Sequence, residues 1–321
     1  MTSAPTSATA GGGTGGARAS RPDQPGGAVP DLRAATVTQA PGPGRRPRRL
    51  TPRGIALLVV GIVIAAVYLL PFYVAIVNSF KTDQDASLHP LALPATWTAA
   101  AFRTLFQNSD FGIWTMNSVI VAVVVTLGRI FFDSLAGYAL ARLRFRGRQT
   151  VFALIIAVMA VPGVVLLIPK FLVINQLGMY DSYSGMIVPL LVDAAGVFIM
   201  KNFFESIPAS VEEQAKIDGA GTFRTFWSIV LPMARPAVVT ITILSFQGSW
   251  NELPQFIVSA SSPGLTTLTK GVASLASGAL SAGNQFPVKL AAAFVMTIPV
   301  AVAFFVFQKR IMNSSDGAVK E

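Results

Sequence analysis

The side chains that need explaining are the polar ones that interrupt long apolar runs. Arg129 and Asp133 sit four residues apart inside one such run. Asp193 interrupts another, and Ser245, Gln247, Ser249, Trp250, Asn251 and Glu252 crowd the end of a third. A charge or amide is expensive in lipid, so each should face protein, water or a passing solute. At i, i+4 on a helix, Arg129 and Asp133 can neutralise each other as an ion pair, or contact a polar substrate. The Trp250 run has two readings. A flat apolar ring beside amide and carboxylate groups is what a sugar-contacting surface needs. Helix–helix packing accounts for the same residues equally well.

Reactive chemistry is poorly served elsewhere. There is no cysteine and a single histidine, His89. That excludes a disulfide framework, a thiolate metal site, a cysteine nucleophile and any site needing two histidines. No G-x-x-x-x-G-K-[ST], G-x-S-x-G or H-E-x-x-H sequence occurs, so the chain lacks a phosphate-binding loop of the first type and the hydrolase signatures of the others. An intramembrane enzyme would need paired groups at one depth, and Arg129/Asp133, Asp193 and Glu252 have no obvious partner geometry.

The elements that must hold these residues are membrane spans. The composition is 52% hydrophobic and 12% charged, with mean hydropathy +0.58, far from the roughly 25% charged residues of soluble domains. Six runs approach the roughly 20 residues a spanning helix needs: Ile55–Val77, Ser118–Leu140, Val151–Val173, Ser184–Phe204, Pro236–Ser259 and Val288–Phe307. An all-α, polytopic membrane protein of six transmembrane helices is the expected fold. Residues 1–50, rich in Gly, Pro, Ala, Ser and Thr, are expected to form a disordered basic tail, with the membrane domain over 51–321. The net charge of +10 is explained by basic loops rather than by nucleic acid. Nineteen Lys and Arg fall in the tail, the alternate loops and the C-terminal end, against five on the opposite side. The positive-inside rule therefore puts both termini in the cytoplasm. Of the two long external segments, Lys81–Thr115 carries Trp97, Phe102, Phe111 and Trp114, whereas Ala260–Pro287 shows no strong structural pattern.

One polar island, Glu213–Pro232, separates the fourth and fifth spans on the basic side. Ser210 and Glu213 have the S-x-x-E spacing of a capping box, which predicts a helix starting at Ser210. Glu212 and Glu213 suit its first turn and Lys216 its end. Asp218-Gly219 stops it. Phe223, Phe226, Trp227 and Val230 predict a second helix from Thr222 with one apolar stripe, ended by Pro232 and Pro236.

The spacing of this island resembles a known family. Glu213-Gln214-Ala215, three residues, Gly219, nine residues, then Ile229-Val230-Leu231-Pro232 is similar to the E-A-A-x3-G-x9-I-x-L-P loop of ABC importer permeases, with Gln214 where that family usually has Ala. Asn78–Thr82, Asn117-Ser118, Gly137–Arg142, Phe203–Pro208, Trp250-Asn251-Glu252 and Gly317–Lys320 resemble the maltose-type sugar permeases, specifically the second permease of the pair, from about residue 54 to the end. The resemblance implies a type I ABC importer permease fold in a bacterial cytoplasmic membrane. It implies a homologous second permease, two cytoplasmic ATPases that carry the ATP and Mg, and an external solute-binding protein, with no cofactor on this chain. Glu212, Glu213, Gln214, Ala215, Asp218, Gly219 and Pro232 would form the ATPase-coupling site. Ser245, Gln247, Trp250, Asn251, Glu252, Arg129, Asp133 and Asp193 are candidates for the solute path. A sugar is the implied solute. A polyamine or phosphate ester, and more distantly a passive channel or an intramembrane enzyme, are the alternatives.

Overall fold

The structure, a computed structural model, describes residues 52–277 and 285–316. The basic tail over 1–50 and the Gly317–Lys320 segment lie outside the described residues. Residues from Leu58 onward make up one unit, whose regular secondary structure among the described residues is all helical.

Helix α1 (Pro52–Ser79) opens the chain as a long apolar rod. Its apolar window is not buried by any of the other described residues. At its end the Asn78–Thr82 sequence is spent on structure. Asn78 Nδ2 donates to the carbonyls of Val74 and Pro90 at 2.8 and 2.7 Å, and the buried Lys81 Nζ donates to His89 O at 2.6 Å. Thr82 caps α2 (Asp83–Leu88), its hydroxyl accepting from Asp85 N–H. A short α3 (Ala100–Asn108) leads to α4 (Phe111–Arg142), 32 residues long and the axis of the unit. Buried residues recur along its length, from Trp114, Val121 and Val125 to Tyr138 and Ala141.

The third expected span is not one helix. α5 (Arg148–Met159) and α6 (Leu167–Gln176) are joined by a 3-10 turn and bend by 103°. Pro162, which has no N–H to donate, stands just before that turn. The fourth span is likewise interrupted. α7 (Tyr183–Ile187) passes through a 3-10 turn containing Pro189 before α8 (Ala194–Ser206) begins. Asp193 is therefore not mid-helix; it is the N-cap of α8, its carboxylate accepting from Gly196 N–H at 3.3 Å.

Beyond α8 come α9 (Ala209–Ile217), α10 (Thr222–Thr225), a π-helical turn over Phe226–Val230, and α11 (Leu231–Met233). α12 (Arg235–Trp250) then turns away at 80°, the bend falling between Pro232 and Pro236. The fifth span is thus a helix that stops at Trp250, not at Ser259. After Asn251–Leu253 a short α13 (Pro254–Ser259) follows. The next segment is more ordered than its sequence suggests. α14 (Leu268–Ser277) buries Leu268 and Leu275 beside Trp114 and α15 (Phe286–Asp316). Among the described residues four helices are long and apolar enough to cross a membrane, and up to six crossings result when each bent pair is taken as one.

Candidate functional site

The polar island is an elbow hung from the end of α4. Pro208, with φ −57°, ends the turn after α8 and sets the chain for a helix at Ala209. The expected capping box at Ser210 does not form: the helix has already begun one residue earlier, and Ser210 lies within its first turn. The other end follows the sequence reading. Gly219 takes a left-handed φ of +78°, its N–H bonds Lys216 O at 3.0 Å, and Ala220 N–H bonds Ala215 O at 2.9 Å. This pair of bonds is the Schellman closure that a residue without a Cβ makes cheaply.

The short helix has two faces. Ala215 is buried against the elbow. Glu213, Gln214, Lys216, Asp218 and Gly219 are exposed, and Ile217 is 84% exposed, an unusual position for a large aliphatic side chain. Glu212 turns inward instead. Its Oε1 lies 3.3 Å from Arg142 Nε, with the two side chains 12% and 13% exposed, and the approach is a charge contact rather than an aligned hydrogen bond. Arg142 Nη2 also donates to Phe204 O at 2.5 Å and to Ile207 O. One guanidinium thus grips the last turn of α8, the turn that follows and the start of α9. Its place at the end of α4, closing Gly137–Arg142, is the sequence signal that goes with this role. Nearby, Lys201 Nζ pairs with Glu205 at 2.8 Å and lies 4.1 Å above the Phe152 ring.

The second limb of the elbow departs from the single-stripe expectation. Phe226 and Val230 are buried with Tyr138, Phe204 and Met200, and the Phe226 and Tyr138 rings are 5.0 Å apart. Phe223 and Trp227 stay outside, 67% and 51% exposed, stacked on each other at 6.4 Å. The wider π turn breaks the ordinary helical spacing, so the four residues no longer share one face. Pro232 opens α11 just after it.

The polar residues at membrane depth are not brought together as one cluster. Arg129 and Asp133 form no ion pair among the described residues; both reach the break in the fourth span. Arg129 Nε donates to Leu190 O at 2.7 Å, and the fully buried Asp133 accepts from Asp193 N–H at 3.0 Å. Backbone groups freed by the interrupted helix outcompete the side-chain pair. Gly196 is required beside them, because a Cβ there would overlap Asp133 Oδ2.

On the fifth span the run divides by face. Ser245, Ser249 and Trp250 are buried. Trp250 Nε1 donates to Met296 O at 3.2 Å, its carbonyl accepts from Thr269 at 2.7 Å, and its ring stacks on Phe246. Trp250 therefore packs among Phe246, Thr269 and the backbone of α15. Gln247 and Asn251 are exposed, with Asn251 Nδ2 donating to Gln247 O at 3.0 Å. Glu252 turns back to accept from Gln255 N–H at 2.9 Å.

At the end of α4 remote from the elbow, Asn117 Nδ2 donates to Gly264 O and Thr266 O, each at 2.9 Å. Asn117 Oδ1 accepts from Tyr183 at 2.6 Å, and Ser118 Oγ accepts from Leu268 N–H at 2.7 Å. Asp181, in a left-handed backbone conformation at φ 55°, accepts from Ser261 and Ser262 N–H at 2.8 and 2.9 Å and from the Ser262 hydroxyl. These bonds hold its carboxyl below its ordinary range. Lys270, whose Nζ donates to Ala260 O at 2.5 Å, is pushed down by burial and only partly offset by Asp181. The same helix, α4, thus anchors the elbow at one end and a hydrogen-bonded loop cluster at the other.

Residues 133–313 match the family described as binding-protein-dependent transport system inner membrane component. The chain is 34% identical over 265 residues to a polygalacturonan/rhamnogalacturonan transport system permease protein of Bacillus subtilis, covering 78% of this chain and 92% of the relative. It is 33% identical over 257 residues to an sn-glycerol-3-phosphate transport system permease protein of Yersinia enterocolitica, covering 77% and 89%. Its fold matches a chain of a bacterial ABC transporter that imports the acidic polysaccharide alginate, with TM-score 0.72, 26% identity and coverage of 80% and 95%.

Proposed function

We propose a function from the premise that this chain belongs to the binding-protein-dependent transport system inner membrane components: it is the membrane permease subunit of an ATP-driven importer of saccharides. The chain is a transporter component, and the energy comes from a separate ATPase that holds the ATP and Mg. A second permease, two ATPases and an external solute-binding protein complete the assembly.

The observation that carries this reading is the Arg142 grip on the elbow. α9 offers its exposed face, from Glu213 to Gly219, to a partner, while Arg142 and Glu212 fix its base to α4. A push on α9 is then delivered to a helix that runs the depth of the membrane, and a short rigid helix stopped by Gly219 transmits it as a rigid-body motion. The Lys and Arg distribution supports a cytoplasmic position for this elbow, on the side of the ATPases in this reading. Opposite it, the Asn117–Gly264–Thr266 cluster faces the side from which solute is delivered.

A saccharide solute is supported by the polysaccharides named for the Bacillus relative and for the alginate importer. The glycerol phosphate relative, at nearly the same identity, favours a phosphate ester as the second reading. The test is purification from the native membrane in gentle detergent, with mass spectrometry of the associated chains. An ATPase, a second permease and a binding protein are expected. Recovery of this chain alone, with no ATPase even after crosslinking at Glu213–Gly219, would overturn the assignment.

A further inference from the structure

Arg129 is a cation near the middle of α4 whose charge is only partly used. Its Nε is fixed on Leu190 O at 2.7 Å. Among the described residues no carboxylate lies within ion-pairing distance of it, and Nη1 and Nη2 have no hydrogen-bond acceptor. Asp133 acts on it through charge alone: its Oδ1 is engaged by Asp193 N–H, its Oδ2 has no hydrogen-bond partner among the described residues, and the residue is fully buried. Asp193 in turn caps α8.

The unused edge of the guanidinium looks toward α12. A Cβ placed on Gly248 would sit 3.8 Å from Arg129 Nη1, and no other atom from outside its own stretch of α12 would be within 4 Å of it among the described residues. A glycine at this position leaves the approach to the fork clear. Gln247 and Asn251 flank it, both exposed. Three exposed polar or backbone-bare positions beside a half-buried arginine at membrane depth are costly against lipid. They are well matched to a solute that brings oxygen acceptors.

We infer that Arg129, with Gly248, Gln247 and Asn251 around it, forms an oxyanion subsite in the solute path, taking a carboxylate or phosphate carried on a saccharide or polyol. The planar fork suits two parallel N–H···O bonds to such a group, and the flanking amides suit neighbouring hydroxyls. A sugar carboxylate and a phosphate ester present the same chemistry to this edge. The inference deepens the import reading and rests on it.

The cysteine-free chain supplies the test directly. Gly248→Cys is made in the complete importer, in proteoliposomes with its binding protein and ATP, and its modification is read by the mass of this chain. Two thiosulfonate reagents are compared, one carrying a sulfonate and one a quaternary ammonium, each normalised to its rate with free cysteine. The sulfonate is expected to react about tenfold faster, as a unit positive charge a few ångströms away would dictate, and Arg129→Gln should bring the ratio to about one. Digalacturonate or glycerol 3-phosphate at saturation should slow the labelling at least threefold, the first pointing to a carboxylate and the second to a phosphate. Asn251→Cys is the second reporter should Gly248→Cys fail to assemble.

No labelling at either position, a flat charge ratio, or equal protection by maltose and both anionic probes would overturn the subsite. Failure of the import reading looks different: no ATPase co-purifies, whatever the labelling ratio. An importer that co-purifies intact with a flat ratio sinks only the subsite.

Discussion

Arg142 Nε stands 3.3 Å from Glu212 Oε1, and that contact joins the last turn of α4 to the first turn of α9. With Phe204 O and Ile207 O on the same guanidinium, the elbow has one dominant anchor. Arg142→Ala should destabilise the chain by about 2–4 kcal/mol, because it strands Glu212 in a largely buried place and releases two carbonyls. Arg142→Lys should recover part of this, since a point charge cannot serve three acceptors as the planar group does. The loss in Arg142→Ala/Glu212→Leu should be smaller than the sum of the two single losses by about 1 kcal/mol or more. Thermal unfolding of the four proteins in detergent measures this, and strict additivity would show that the contact contributes nothing. In the assembled importer, Arg142→Ala should also let ATP hydrolysis continue while uptake falls.

The exposed face of α9 makes a different prediction, because its side chains lie at the surface of the described residues. Glu213→Arg changes an exposed side chain and should leave folding and membrane insertion intact while abolishing uptake through loss of charge matching with the ATPase. Gly219→Pro should do the same through the turn, as proline cannot take φ +78°. Gly219→Ala is the graded version, costing about 1 kcal/mol of backbone strain. Uptake assays paired with immunoblots of the membrane fraction decide the matter. Wild-type uptake in Glu213→Arg or Gly219→Pro would remove α9 from the coupling role.

The elements that composition controls were legible in the sequence, and those that competition controls were not. Long apolar runs gave α1, α4 and α15, and Asp218-Gly219 gave the end of α9, since each depends on local chemistry. The breaks were less visible. Pro162 and Pro189 were in plain view, yet each lies in a run apolar enough to read as one continuous helix. The Arg129–Asp133 spacing is that of an ion pair, and only the freed carbonyl of Leu190 and N–H of Asp193, created by a break elsewhere in the chain, draw the two side chains apart. Trp250 shows the same limit. Its neighbours in sequence are polar, but its neighbours in space are Phe246 and the backbone of α15. The π turn at Phe226–Val230 carried no sequence mark that we can identify.

Trp250 tests the distinction between packing and solute contact. It is 1% exposed, so no solute can reach its ring without the helices parting. Trp250→Phe should keep the KM for uptake within about twofold and cost about 1 kcal/mol or slightly more, for the lost bond to Met296 O and the smaller ring. Trp250→Ala should cost about 3–5 kcal/mol. A tenfold rise in KM for Trp250→Phe, with unchanged thermal stability, would return this residue to the solute path.

Asp181 gives a pH dependence with a definite sign. The Ser262 hydroxyl and the Ser262 and Ser261 amides favour the ionised carboxylate, holding it below its ordinary 3.8. A carboxyl lowered in this way stabilises the folded chain fully above the unfolded value. The benefit is lost as pH falls below 3.8 through the folded value. Asp181→Asn isolates the charge, because asparagine tolerates the same left-handed backbone. The variant should melt below the wild type at pH 7, and the gap should close as the pH is taken below 3.8. Loss of the Asp181 charge should also lower the Lys270 pKa further, since that charge is what opposes the effect of burial there. A gap that stays constant from pH 7 to pH 3 would mean that the brace between this turn and the Ser261–Ser262 loop depends on shape alone.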